Sequence, residues 1–312
     1  MDKFVIGIDV GGRSVKFGLF SKEGKLIDKS NIVTRVEDEG KHILDDIYDH
    51  LLKIIEKHQL NEDNLLGIGL GIPGAILNKS IVQTAVNLGW GRVDVKGYFS
   101  DKFPYKVLVE NDANVAALGE AWQGAAKDLD SIVMVTLGTG VGGGIIIDGK
   151  IVSGNSGAGG EIGHMPFLEN ALTRTCGCGG HRCFEQVASA TGLESLANEY
   201  LFNSDEESVL REIDGFLAKD IFEAYKNKDK LAVKVVEEYY FHLARGLAIV
   251  SSIIDPQAFV IGGGVSNSGD VLIQGIQKEF VKLCFPTMKD MKFIRASLGN
   301  DAGIYGAAKL VI

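Results

Sequence analysis

Short apolar runs that end in glycine alternate along the chain with longer stretches whose apolar residues recur at helical spacing. Residues 4–9 are apolar and β-branched, which predicts a buried strand. Gly11-Gly12 turns the chain and residues 15–20 return, as in a hairpin, with residues 25–33 as a third strand. Ile43, Leu44, Ile47, Leu51, Ile54 and Ile55 predict an amphipathic helix over roughly 41–58. Residues 65–70 form another strand ending in Gly71-Ile72-Pro73-Gly74. Residues 107–109 form a strand that stops at Glu110-Asn111-Asp112, and good helix formers follow over 113–122.

The pattern then restarts. Residues 131–137 read as a strand, Gly138-Thr139-Gly140 turns it, and 141–147 return through three glycines. This unit matches the one at 4–20 and reads as an internal repeat, one copy opening each domain. The plainer alternative is two unrelated hairpins. Residues 150–185 form a long irregular excursion, of a length that is functional or held by something. Residues 204–229 are charged and read as surface helix, and 230–253 as a long helix ended by Asp255-Pro256. A strand at 258–261 opens into Gly262-Gly263-Gly264. A helix at about 269–284, a short strand at 294–296 and a helix at 302–310 complete the chain. The alternation predicts an α/β class with largely parallel sheets. The expected division is a small domain, 1–112 plus about 300–312, and a larger one, about 113–299, that carries the irregular loop.

Composition narrows the picture. A chain of 312 residues is long for one core, so two domains are the natural prior. The net charge of −9, with no basic run, argues against a nucleic-acid partner, which needs Lys and Arg for phosphate neutralisation. The N-terminus lacks the basic and apolar regions of a leader, and the longest apolar stretch is too short to span a bilayer. A soluble, cytoplasmic protein without membrane partners is the expectation. Forty glycines against five prolines is unusual, and the glycines cluster at turns where backbone approaches a ligand.

Three such turns follow apolar strands. In Asp9-Val10-Gly11-Gly12-Arg13-Ser14, backbone N–H groups are placed for phosphate oxygens. Asp9 is a candidate for magnesium, and Arg13 and Lys16 supply positive charge. An ordinary tight hairpin with a solvated acid is the alternative. The second turn, with Thr139, Gly140, Gly142 and Gly143, offers a hydroxyl and N–H donors. The third, Gly262, Gly263 and Gly264, suits packing against a nucleobase and its ribose. Neither the P-loop nor the dinucleotide fingerprint is present. Together the turns suggest a nucleotide held between two domains.

Asn111-Asp112 lies where a strand ends and a helix begins, a position that suits a catalytic acid or, equally, a helix N-cap. Phosphoryl transfer needs a base for the attacking hydroxyl, and Asp112 is the candidate. Cys176, Cys178 and Cys183 give C-x-C-x4-C, a metal signal in a reducing compartment, with zinc the default. Three structural thiols without metal are the alternative. His164 and His181 are candidates for a fourth ligand, and Cys284 is distant. His181 lies inside the Cys178–Cys183 loop, so His164 is preferred. Four protein ligands imply a structural site that braces the loop and the flanking acids Glu161 and Glu185.

These pieces resemble one family. Asp9-Val10-Gly11-Gly12, Glu110-Asn111-Asp112-Ala113-Asn114, Gly160-Glu161-Ile162-Gly163-His164 and the run from Cys176 to Glu185 are similar to the ROK family (repressor, open reading frame, kinase), from about residue 4 to 310. Asn87-Leu88-Gly89-Trp90, Ala188-Ser189-Ala190-Thr191-Gly192 and Leu298-Gly299-Asn300-Asp301-Ala302-Gly303 look most like its Gram-positive-type glucokinases. The resemblance implies an actin-like, RNase H-like, hexokinase-type fold whose two domains close on sugar and ATP at an interdomain cleft. It implies ATP-dependent phosphorylation of a hexose, with Asp112 taking the proton of the 6-hydroxyl. It implies Asn111, Asp112, Glu161, His164 and Glu185 around the sugar, with Asn87 and Gly74 nearby. It implies zinc on His164, Cys176, Cys178 and Cys183, the second ring nitrogen of His164 facing the sugar. By analogy the chain is a homo-oligomer, a dimer or tetramer. N-acetylmannosamine, a β-glucoside, fructose and allose rival glucose as substrate. Family regulators carry an N-terminal helix-turn-helix module, for which this chain has no room before residue 9. Two departures stand out: Arg13 replaces the usual Thr, and Arg182 the usual Gly before the last Cys.

Overall fold

A computed structural model describes residues 2–312. The chain divides into two compact units. Unit 1 takes the chain up to Ile132, then Gly144–Gly160 and Ser297–Ile312. Unit 2 takes Val133–Gly143 and Glu161–Ala296.

In unit 1, strands β1 (Phe4–Val10), β2 (Ser14–Ser21), β3 (Leu26–Val33), β4 (Leu65–Ile72) and β8 (Val107–Asn111) form a sheet in the order β3-β2-β1-β4-β8. Strands β1, β2 and β3 are antiparallel neighbours, while β1, β4 and β8 run parallel. Both faces are covered, and the residues of β1 alternate between them. Ile6, Ile8 and Val10 join a core with Ile43, Ile47 and Leu51 of helix α1 (Ile43–Lys57). Val5 instead meets Phe20, Ile304 and Ala308, the last two from helix α9 (Ala302–Lys309).

Register is what positions chemistry here. Asp9 pairs with Gly71, Gly71 with Glu110, and Ile72 with Asn111. The carboxyl ends of three parallel strands therefore align, bringing Asp9, Gly74 and Asn111-Asp112 to one edge of one sheet. Open parallel sheets bind ligands at such an edge.

The second five-stranded sheet has the order β11-β10-β9-β12-β13, from β9 (Ile132–Leu137), β10 (Val141–Ile147), β11 (Lys150–Ile151), β12 (Ala258–Gly262) and β13 (Lys292–Arg295). Each sheet thus begins with a three-strand meander and adds two later strands beside the first, so the internal repeat is real at the level of topology. Helices α4 (Glu185–Ala188), α5 (Ala190–Asn203), α6 (Ala218–Lys226), α7 (Lys230–Ile254) and α8 (Asp270–Leu283) lie in unit 2, as do β12 and β13, whereas β11 and the second half of β10 group with unit 1. Helix α7 stops where Asp255 adopts a left-handed conformation (φ 49°) ahead of Pro256.

Three expectations are revised. The sheets are mixed, not largely parallel, because each opens with a tight glycine hairpin. Only residues 218–226 of the span 204–229 form an α-helix. Ser204 and Ser208 accept from the N–H groups of Glu206 and Leu210, and such local bonds compete with a helical ladder. The division between units does not fall at residue 112: helix α3 (Asp112–Gln123) groups with unit 1. Its Glu120 binds Ser297 and Leu298 at the entrance to α9, which draws both segments into that unit. A small sheet of β5 (Ile76–Leu77), β6 (Ile81–Val82) and β7 (Val93–Asp94), with helix α2 (Val95–Ser100), adds structure the pattern did not predict.

Candidate functional site

At the first glycine turn the N–H of Gly11 donates to the Ser14 carbonyl at 3.0 Å, closing the hairpin. Arg13 is exposed at its tip. A Cβ on Gly12 would stand 3.1 Å from the Asn87 carbonyl, so the turn and Asn87 touch through backbone. Asp9, at the end of β1, accepts from Lys16 Nζ at 3.5 Å, and Lys16 also donates to the Asn300 carbonyl at 2.7 Å. Burial pushes the Asp9 carboxyl up from its ordinary range, while the Lys16 ammonium pulls it down.

The β8–α3 junction resolves the question of the cap. Asn111, not Asp112, is the N-cap: its Oδ1 accepts from Ala113 N at 2.9 Å and Asn114 N at 3.1 Å. Its Nδ2 donates to the Gly74 carbonyl at 3.1 Å. Asp112 is the first helical residue and receives the Ala113 N–H at 2.9 Å. The capping role is therefore taken by its neighbour. Behind it, buried Glu110 accepts from Asn111 N, from Asn114 Nδ2 at 3.1 Å and from Ser153 Oγ at 2.7 Å. The sequence pattern names Glu110 only as the end of a strand and does not single out Ser153. An acid one residue before the junction, on a buried strand face, was the available signal.

In unit 2 the second glycine turn lies against α4 and α5. The Ala190 N–H donates to the Gly138 carbonyl at 2.8 Å and the Thr191 hydroxyl to the Thr139 carbonyl at 2.7 Å. A cavity of about 510 Å³ opens there, lined by Gly138, Thr139, Glu194, Phe222, Gly264 and Asn267 among others. Thr139 and Gly264, distant in sequence, thus line one space. Gly140, Gly142, Gly143, Gly262 and Gly263 do not line it. Gly263 has φ 81° and packs on the Leu137 backbone, where a side chain has no room. Glu194, Phe222 and Asn267 were missed, since a helix face carries no turn signature.

The cysteine loop gathers its residues closely. The ligating atoms of His164, Cys176, Cys178 and Cys183 all lie within 4.8 Å of one another. His164 Nδ1 and Cys176 Sγ are 3.4 Å apart, as are Cys178 Sγ and Cys183 Sγ. A tetrahedral zinc with Zn–S near 2.3 Å needs sulfurs about 3.8 Å apart, so the donor set and its spacing fit that ion. His181 instead turns its Nδ1 to the Leu172 carbonyl. The Cys176 thiol donates to Glu185 Oε1 at 2.7 Å, and Glu185 Oε2 accepts from Val141 N at 3.3 Å. Burial, with that carboxylate beside it, raises the Cys176 thiol. His164 Nε2, on the other side of the ring, is 3.9 Å from Glu161 Oε2. Phe167, just beyond His164, packs on Phe184 and meets the edge of His242, with Arg245 over its ring.

The ROK family model matches residues 5–312. The chain belongs to the ROK family. It is 39% identical over 315 residues to a glucokinase of Halalkalibacterium halodurans, spanning 99% of this chain and 95% of that protein. It is 31% identical over 316 residues to an N-acetyl-D-glucosamine kinase of Vibrio cholerae, spanning 98% and 99%. Among solved structures, a ROK family glucokinase from Streptomyces griseus in complex with glucose and AMPPNP superposes with a TM-score of 0.76 at 34% identity, covering 98% of each chain. The fold is the two-domain ROK sugar-kinase fold. Among the described residues no helix is long and apolar enough to cross a membrane.

Proposed function

We propose that this protein is an ATP-dependent hexose kinase that phosphorylates the 6-hydroxyl of glucose. The observation that carries this reading is the β8–α3 junction. There Asn111 caps the helix and leaves Asp112 in its first turn, at the same edge of the sheet as Asp9 but one strand removed from it. The full-length similarity to a glucokinase supports it.

In this reading Asp112 accepts the proton of the sugar hydroxyl as its oxygen attacks the γ-phosphorus, and ADP leaves. A positioned carboxylate base contributes about 10²–10⁴-fold to such a step. Asn111 and Glu161, His164 and Glu185 hold the sugar hydroxyls, with Asn87 and Gly74 nearby. The cavity lined by Thr139 and Gly264 takes the adenine and ribose, and the N–H of Gly12 faces a phosphate oxygen, that of Gly11 being engaged by the Ser14 carbonyl. Asp9 serves the magnesium that accompanies ATP, which neutralises phosphate charge when bound. Zinc on His164, Cys176, Cys178 and Cys183 has a structural role, since four protein ligands fill its coordination. It keeps Glu185 and Glu161 in place.

The Vibrio cholerae relative favours a second reading, phosphorylation of N-acetyl-D-glucosamine. Measuring kcat/KM for glucose, N-acetylglucosamine, N-acetylmannosamine, fructose and allose with Mg-ATP separates the two. The proposal expects glucose to exceed every other sugar. A higher value for an N-acetylated sugar overturns the choice of substrate and leaves the chemistry standing.

A further inference from the structure

Glu120 is fully buried near the C-terminal end of α3. Its partners are backbone N–H groups and one hydroxyl. Ala125 N donates at 2.8 Å, Leu298 N at 2.8 Å, Ser297 N at 3.0 and 3.1 Å to the two oxygens, and Ser297 Oγ at 3.3 Å. Donors from two separate segments converge on its two oxygens, so this one side chain ties the end of α3 to the segment at Ser297.

What it holds is the chain entering α9. Three residues on, the Asn300 carbonyl accepts from Lys16, the same ammonium that lies 3.5 Å from Asp9. Asp301 accepts from Lys29 at 2.6 Å. The backbone of Gly303 lies so close to Asp9 that a Cβ there would meet the carboxyl carbon at 2.7 Å. Residues 297–303 therefore form one wall around Asp9, and Glu120 fastens the wall at its start. Glu120 stands about 12 Å along α3 from Asp112, eight residues at 1.5 Å each. One helix carries the proposed base in its first turn and anchors the Asp9 wall near its last.

We propose that Glu120 is a positioning residue for nucleotide binding: it fixes Ser297 and Leu298, and through them the Asn300 carbonyl that holds Lys16 against Asp9. The proposal rests on the reading of Asp9 as the carboxylate that serves the magnesium-nucleotide. Glu120 touches neither sugar nor nucleotide in this account. Its loss weakens nucleotide binding and spares sugar binding.

The test is calorimetric titration of Glu120→Gln with Mg-AMPPNP and, separately, with glucose. The amide keeps the shape but turns a donor toward N–H groups that need an acceptor. The expected result is about a tenfold rise in Kd for Mg-AMPPNP, with the Kd for glucose within twofold of wild type. Lys16→Met is expected to show the same selectivity. The double variant is expected to be no weaker than the weaker single one, because residues on one path are not additive. Additive effects, or glucose and nucleotide weakening together, overturn the proposal. If Glu120→Gln does not fold, Glu120→Asp keeps the charge and withdraws it by one methylene. A smaller loss confined to the nucleotide then supports the proposal, and an equal loss for both ligands overturns it. Asp9→Ala tests the underlying reading by itself. Unchanged Mg-AMPPNP binding in that variant sinks the role of Asp9, while the Glu120–Lys16 coupling still reports whether the two act together.

Discussion

The β8–α3 junction of unit 1 and the cysteine loop of unit 2 both present acids, and they are held by opposite means. The junction is built from neighbours. Asn111 caps the helix, Glu110 collects Asn111, Asn114 and Ser153, and adjacent strands fix the register. The loop from Glu161 to Glu185 has almost no regular structure, and its closest cluster is four metal-type donors. A site on a strand end inherits rigidity from its sheet, whereas a long loop needs a staple. The account therefore expects unit 1 chemistry to be insensitive to zinc and unit 2 acids to depend on it.

The largest expected effect is at the junction itself. Asp112→Ala should lower kcat for the preferred sugar about 10³-fold, with sugar Kd changed only a few-fold in calorimetry. Near wild-type turnover removes Asp112 as base. Next comes the staple. Cys178→Ser should bring bound zinc, measured by elemental analysis after desalting, from one per chain to near zero. Its kcat/KM for sugar should fall about 10²-fold as Glu161 and Glu185 lose position. A zinc-free variant with full activity breaks the comparison. Asn111→Ala should cost about 1 kcal/mol of stability as a lost cap, read by urea unfolding, together with the Gly74 contact. An unchanged unfolding midpoint means that the junction is not held by its own cap.

The smallest effect lies beneath the loop. His242 is largely buried against Phe167, and burial lowers its pKa below the ordinary 6.5. A depressed histidine means that the unfolded chain binds a proton before the folded one does. Stability is then full above about pH 6.5 and declines as pH falls below it. Wild type should lose a degree or two more of Tm between pH 7.5 and 5.5 than His242→Gln does. Identical pH profiles show that His242 does not contribute.

The sequence carried the strand–turn–strand pattern, the Asn111-Asp112 junction and the spaced cysteines, because each is written in local residue order. It placed the last helix within reach of the first domain. It did not carry the alignment of Asp9, Gly74 and Asn111, which comes from strand register across a hundred residues. Glu120 was invisible for a related reason. An acid on an apolar helix reads as solvated, and only the returning segment at Ser297 gives it partners. The cavity residues Glu194, Phe222 and Asn267 converge from three separate elements, which no local pattern reveals.

The most direct measurement is the product. Purified protein with glucose and Mg-ATP, followed by phosphorus NMR, should form glucose 6-phosphate and ADP in equal amounts. Formation of ADP without any phosphorylated sugar, or no reaction with any hexose tried, contradicts the account.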